Sequence, residues 1–120
     1  LFQAMRYEDA EVREKIRNAP SPMKAKMIGR KREFVGSRVV EAMSEADLAN
    51  MRLCVSIKLA QNELLGRQLR WTHDARIIED CSSRARGSGL FWGARRVEGG
   101  WCGENWLGRI WMELRSELKM

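Results

Sequence analysis

Apolar residues recur at helical spacing near both ends and through the middle of the chain, and lose that rhythm between Trp71 and Val97. Over residues 3–17, Val12 and Ile16 stand four apart among Glu11, Arg13, Glu14, Lys15 and Arg17, which predicts an amphipathic helix. Glu11 and Lys15 can pair across one turn in the favourable order. The run Asn18-Ala19-Pro20-Ser21-Pro22 breaks the pattern. Ser21 as N-cap and Pro22 at the first helical position then start a short helix to about Ile28, with Met23 and Met27 on one face and Gly29 as its C-cap. Ser44 and Asp47 have the spacing of a capping box. Leu48, Met51, Val55 and Leu59 follow as an apolar stripe, with Arg52 and Lys58 toward water. Asn62 and Gly66 bracket the end of that helix, and a second helical piece covers 63–70. A last helix runs from Leu107 to about Leu118, burying Leu107, Ile110, Leu114 and Leu118 with Trp111 alongside.

Between these helices the pattern changes. Arg76-Ile77-Ile78-Glu79 predicts a short strand, and Ser82 to Gly89 a loop. Leu90-Phe91-Trp92 predicts a strand or extended segment ended by Gly93, and Gly99-Gly100 marks a turn. No internal repeat or linker divides the chain. The expected fold is α+β, mainly helical: a single domain over residues 1–120 with a few short extended segments. Leu1 opens the sequence in what reads as mid-helix, so we expect a domain whose N-terminal segment precedes this chain.

Composition narrows the classes. With 120 residues, 44% hydrophobic and 32% charged, the chain is neither a disordered acidic tail nor collagen-like. No apolar run reaches the roughly 18 to 20 residues of a membrane helix, so no membrane partner is expected. Cys54, Cys81 and Cys102 form no CxxC pair and are odd in number, which disfavours a disulfide framework and a structural zinc site. His73 is the lone histidine. Neither metal nor cofactor is expected, and a reducing cytoplasm is the simplest compartment. Lys+Arg number 22 against 16 Asp+Glu, giving +6, which suggests an anionic partner. The densest basic groups, Gly29-Arg30-Lys31-Arg32 and Arg84-Ala85-Arg86, are short and separated by acids. That ranks nonspecific nucleic-acid binding last.

Five tryptophans lie between positions 71 and 111. Two readings stand for Trp92, beside Gly93: a core residue, or a flat wall on which a base stacks. Asn105 precedes the last helix and either caps it or offers its amide to a ribose hydroxyl or base edge. Gly103 and Gly108 would let a ligand approach the backbone closely, and Arg109 would add donors for a phosphate at the helix entrance. The spacing fits neither a Rossmann fingerprint nor a Walker A motif. Lys24 works against the dipole of its helix, and it and Arg6 are candidate ligand contacts. Asp74 and Glu79 flank the apolar Ile77-Ile78 pair. Each is either a solvated surface acid or a carboxylate that orients a sugar hydroxyl or stabilises an oxocarbenium-like state.

Taken in order, these segments resemble the NADAR (YbiA-like) domain family along almost the whole chain. Phe2-Gln3-Ala4-Met5-Arg6 resembles its F-Q-A-x-K, with arginine for lysine. Ala25-Lys26-Met27-Ile28-Gly29-Arg30 resembles A-K-x-x-G-R, and Lys58-Leu59-Ala60-Gln61-Asn62 resembles K-F-x-Q-N. Thr72-His73-Asp74 stands where T-G-D is usual. Phe91-Trp92-Gly93, Gly103 to Arg109, and Met112 to Arg115 resemble F-W-G, G-x-N-x-L-G-R and M-x-x-R. The resemblance implies hydrolysis of an N-glycosidic bond. Its substrate would be a phosphorylated ribosylamino-pyrimidine of riboflavin synthesis or an ADP-ribosylated guanine, with nucleic acid as a possible carrier. Catalytic roles would fall to Trp92, Asn105 and Asp74. Substrate contacts would come from Arg6, Lys24, Glu79, Gly93, Gly103, Gly108 and Arg109. The family's Glu-His pair precedes its F-Q-A segment, upstream of Leu1. Gly89 stands where the family tends to carry aspartate, and His73 replaces a glycine.

Overall fold

A computed structural model describes residues 1–31, 36 and 38–118. The element order is a 3-10 turn Ala4–Arg6, α1 Ala10–Arg17, α2 Pro22–Gly29, α3 Glu45–Ala60, α4 Glu63–Trp71, a 3-10 turn Ser82–Arg84, α5 Ser88–Trp92, β1 Arg95–Val97, β2 Gly100–Cys102 and α6 Trp106–Glu117. The architecture is α+β and mainly helical, with one two-stranded antiparallel sheet among the described residues. Contacts group the chain into two units, Leu1–Cys54 and Val55–Met120.

In the first unit, Ala4, Tyr7, Val12 and Ile16 form a buried core on which Ala25 and Ile28 pack. The helix expected over 3–17 is interrupted at Tyr7–Asp9. Arg6 gives its carbonyl to the Val39 N–H at 2.8 Å rather than to a helical partner, and Tyr7 turns extended. Asp9 then restarts the helix by accepting the Glu11 N–H at 2.8 Å, as short acidic side chains do at N-caps. Ser21 caps α2 through the Lys24 N–H at 3.1 Å, with Pro22 in the first turn. Gly29 is not the expected C-cap: it is the last helical residue, and Arg30 follows with ordinary helical backbone. The glycine is needed because a Cβ there would overlap the Tyr7 ring, whose hydroxyl donates to the Gly29 carbonyl at 2.6 Å. Of the basic group 29–32, Arg32 lies outside the described residues.

In the second unit, Val55, Leu69, Ala94, Ile110 and Leu114 are buried. Asn62 caps α4 by accepting the Leu65 N–H at 3.1 Å. The sheet pairs Arg95 with Cys102, Arg96 with Trp101 and Val97 with Gly100, and Gly99 at φ +82° makes its turn. Two sequence expectations change here. Residues 76–79 are extended but join no strand; only Asp80 forms an isolated parallel bridge, to Ala94. Leu90-Phe91-Trp92 is helical, because Gly87 at φ +55° turns the chain into α5 and the Gly93 N–H closes it on the Gly89 carbonyl at 2.8 Å. A three-residue apolar run is too short to carry a period that separates helix from strand. Leu107, Trp111 and Leu118 of the final stripe are half-buried, while Ile110 and Leu114 are buried.

Candidate functional site

Three stretches of the second unit are tied into one knot. Residues 77–80 run alongside Gly93–Ala94: the Ala94 N–H donates to the Glu79 carbonyl at 2.8 Å, and the Cys81 N–H to the Ala94 carbonyl at 3.0 Å. The entrance of α6 closes on both. The Asn105 N–H donates to the Gly93 carbonyl at 3.0 Å, and the Glu104 N–H to the Leu90 carbonyl at 2.8 Å.

Asn105 is the pin. It is 5% exposed and sits at φ +54°, the left-handed region that asparagine tolerates better than most residues. Its Nδ2 donates to the Ile77 carbonyl at 2.8 Å, and its Oδ1 accepts the Glu79 N–H at 2.9 Å. It occupies the N-cap position without a side-chain capping bond. The capping alternative is therefore replaced by a clamp across 26 and 28 residues of chain.

The glycines around it serve close packing. A Cβ on Gly93 would overlap the Glu79 carbonyl, and one on Gly108 would overlap the Ile77 carbonyl and the Asn105 amide. Gly103, at φ +144°, lies against Gly93 and Ala94, with Ala94 Cα 2.7 Å from where its Cβ would stand. Gly89 is closed in the same way, the Arg84 carbonyl oxygen lying 2.5 Å from where its Cβ would stand, so the position that corresponds to an aspartate in the family motif has no room for one.

The knot presents aromatic and charged side chains. Trp92 is half-buried, and Phe91 meets it edge-on, ring centroids 4.9 Å apart. Phe91 also lies 6.3 Å from the Trp106 ring. The Arg109 guanidinium stacks over Trp106 at 4.6 Å, and the Trp106 indole N–H donates to Glu104 at 3.3 Å. Glu79 is exposed beside Gly93, its Cγ 3.0 Å from where a glycine Cβ would stand. The neighbouring Asp80 is held below the ordinary carboxylate range, first by the Ser82 hydroxyl, then by the Ser82 N–H. It stays ionised and serves the turn.

Of the residues singled out in the sequence, Glu79, Trp92, Gly93, Gly103, Asn105, Gly108 and Arg109 thus come together. Asp74 does not join them. It is exposed and lies within a turn pinned to the later part of α6, where Arg115 donates to the Thr72 hydroxyl at 2.9 Å and the Ala75 carbonyl at 2.7 Å. Arg6 and Lys24 belong to the first unit. Lys24 is exposed on α2. Arg6 is 8% exposed and grips the fully buried Asp47 through Nε at 2.8 Å and Nη2 at 2.6 Å. It also donates to Gln3 at 3.2 Å and lies over the Phe2 ring at 4.8 Å.

Asp47 is the residue sequence reasoning missed. Ser44 accepts the Asp47 N–H at 3.2 Å, as the capping-box spacing predicts. The carboxylate takes the Met43 N–H at 2.9 Å and Arg6 instead of closing the box. Its shortness relative to the usual glutamate was the available signal. Among the described residues no group of three or more His, Cys, Asp or Glu could hold a metal ion, and no helix is long and apolar enough to cross a membrane. Cys54, Cys81 and Cys102 are free thiols.

The NADAR domain matches this chain over residues 1–119. The protein belongs to the NADAR domain family. It is 34% identical over 118 residues to the N-glycosidase YbiA of Escherichia coli K12, covering 98% of this chain and 66% of that protein. Its identity to the Shigella boydii protein of the same name is 33% over 117 residues, with the same coverage. Protein irg-1 of Caenorhabditis elegans is 29% identical over 119 residues, or 97% of this chain and 56% of its own length. The chain therefore spans about half to two thirds of these relatives. No solved structure matches it. The NADAR-like segments found in the sequence mostly acquire structural explanations: Gly29 admits Tyr7, Asn62 caps α4, Arg115 ties down Thr72, and Asn105 with its glycines makes the knot.

Proposed function

We propose that this NADAR domain is an N-glycosidase that hydrolyses the ribose C1–N bond of a phosphoribosylated or ADP-ribosylated base, working in the cytoplasm without a metal. Its relatives named N-glycosidase support the reaction class. The observation that supports the site is the Asn105 clamp, which ties the segment carrying Glu79 to the entrance of α6 and to Gly93, the residue after Trp92.

In the reaction the C1–N electron pair leaves with the base, which must be protonated, and water adds at C1. The flat face of Trp92 holds the departing base. The Glu79 carboxylate faces the oxocarbenium-like charge or takes the proton of the attacking water. Glu79 is preferred to Asp74 because Asp74 lies within the turn that Arg115 pins to the later part of α6, away from the Asn105 clamp. Arg109 leaves its stack on Trp106 to take a phosphate. Asn105 is a positioning residue, its amide engaged by backbone. A riboflavin-pathway ribosylamino-pyrimidine and an ADP-ribosyl guanine, free or on nucleic acid, both offer these features.

The test is chromatographic assay of base released by the full-length protein from both substrate classes. Glu79→Gln should lower kcat by about 100-fold or more with little change in KM, within the range of a lost general base. Activity within a few-fold of wild type would remove Glu79 from the mechanism, and no release from either substrate would remove the glycosidase. A second reading, a module that binds ADP-ribose without cleaving it, is favoured by Gly89, where no carboxylate fits, and by Arg6 in place of lysine, held by Asp47. It predicts heat of binding to ADP-ribose with no turnover.

A further inference from the structure

The proposed mechanism leaves the end of α4 unused. Trp71 is 79% exposed, more than any other large hydrophobic among the described residues. Arg67, Arg70 and Trp71 are related by the three- and four-residue steps that bring side chains together on one helix face. With His73 they line an open cavity of about 330 Å³, at the lower end of the range for small-molecule sites. A second cavity of about 440 Å³ shares Arg67 and Arg70 and adds Asn62, Glu63 and Leu118 among its walls. Among the described residues neither Arg67 nor Arg70 forms an ion pair. His73 is held at φ +52°, a conformation that costs a non-glycine residue free energy, and such strain gathers at ligand sites. The left-handed turn places an imidazole where glycine would offer no ring.

We propose that this end of α4 binds a nucleotide, with the base against the Trp71 indole and the phosphate between Arg67 and Arg70. Guanidinium groups with no carboxylate partner suit a phosphate, and an exposed indole accepts any base by stacking. An acidic peptide would use the arginines but leave the indole unmatched. A membrane surface would call for several apolar side chains together, whereas this indole shares its cavity with Arg67, Arg70 and His73. The site does not rest on the glycosidase reading. Its turn is fastened by Arg115, late in α6, while the Asn105 clamp lies at the start of that helix.

Titration calorimetry of the full-length protein with AMP, adenosine, inorganic phosphate and an eight-residue oligo(dA) tests it. AMP should bind more tightly than either adenosine or phosphate. Trp71→Ala should weaken AMP by roughly 10-fold or more, as loss of a base–aromatic stack does. Arg67→Gln with Arg70→Gln should weaken it similarly and flatten its salt dependence. Trp71→Ala should leave base-release activity unchanged, which separates this site from the catalytic one. Tighter binding of the oligonucleotide identifies a single strand as the source, and equal binding a free nucleotide. AMP affinity unaltered by both variants, or phosphate binding as tightly as AMP, overturns the site, as does failure to bind AMP. Trp71 lies on the surface, and circular dichroism of both variants checks that they fold.

Discussion

Removing the Asn105 carboxamide should cost more than any other truncation in the second unit. The side chain satisfies the Ile77 carbonyl at 2.8 Å and the Glu79 N–H at 2.9 Å from a residue that is 5% exposed. Asn105→Ala leaves both backbone groups unpaired, at about 1–3 kcal/mol each. It also holds alanine in the left-handed region, for about 1 kcal/mol more. The sum, about 3–7 kcal/mol, is a large share of the stability of an ordinary domain. Asn105→Gly relieves the strain but not the lost clamp, so it should recover about 1 kcal/mol. Asn105→Asp keeps the acceptor for Glu79 and turns an oxygen toward the Ile77 carbonyl, which as a carboxylate it can only repel. Protonated, that oxygen donates to Ile77, so folding raises the aspartate's pKa. The variant should be nearest wild type below the unfolded value of about 3.9, and should lose stability as pH rises through the folded value. Urea unfolding between pH 4 and 8 reads all three variants, a loss of 3 kcal/mol lowering the midpoint by roughly 1 to 3 M. Asn105→Ala within 1 kcal/mol of wild type, or Asn105→Asp with no pH dependence beyond wild type's, would refute the clamp.

Other consequences can be measured on the same protein. Asp47→Ala strands the Arg6 guanidinium, 8% exposed, and should cost about 3–5 kcal/mol; a thermal midpoint lowered by less than about 5 °C would show the pair to be dispensable. His73→Gly removes left-handed strain of about 1–2 kcal/mol against about 0.5–1 kcal/mol of added backbone entropy, so the variant should be more stable by a few tenths to 1 kcal/mol in urea, and a loss would mean that the His73 ring contributes more than its strain. Burial pushes the Cys54 thiol up, so at pH 8 iodoacetamide should modify exposed Cys102 well before Cys54, as peptide mapping would show; the stability linked to this thiol is fully present below the unfolded value of about 8.5 and declines as pH rises toward the folded one. Equal labelling rates would place Cys54 in solvent.

How much of this was legible in the sequence depended on whether the cause of a structure was local. Ser21 with Pro22, Ser44, and the stripe Leu107–Leu118 act within a turn or two, and the elements they predict are present. Residues 3–17 read as one helix because Val12 and Ile16 carry the period. The break depends on an Arg6 carbonyl claimed by Val39, more than thirty residues away, and no window of that length can see it. Asn105 shows the same limit more sharply. Asparagine before a helix has an ordinary local explanation, capping, and a functional one, ligand contact. The structure replaces the first, because the carboxamide faces two backbone groups contributed from 77 and 79. Those groups do not pair in a strand, since among the described residues the ladder partner of their segment is a single bridge at Asp80. An extended segment with no strand beside it needs a side chain to satisfy its backbone. The side chain must offer a donor and an acceptor from one planar group, and it must tolerate φ +54°. Asparagine does both. The glycines at 93, 103 and 108 then follow from how closely the three backbones must approach for one carboxamide to reach two of them. A motif rich in glycine and asparagine can thus identify a family through packing alone, and the mechanism we propose assigns the chemistry to the neighbours it holds in place, Glu79, Trp92 and Arg109.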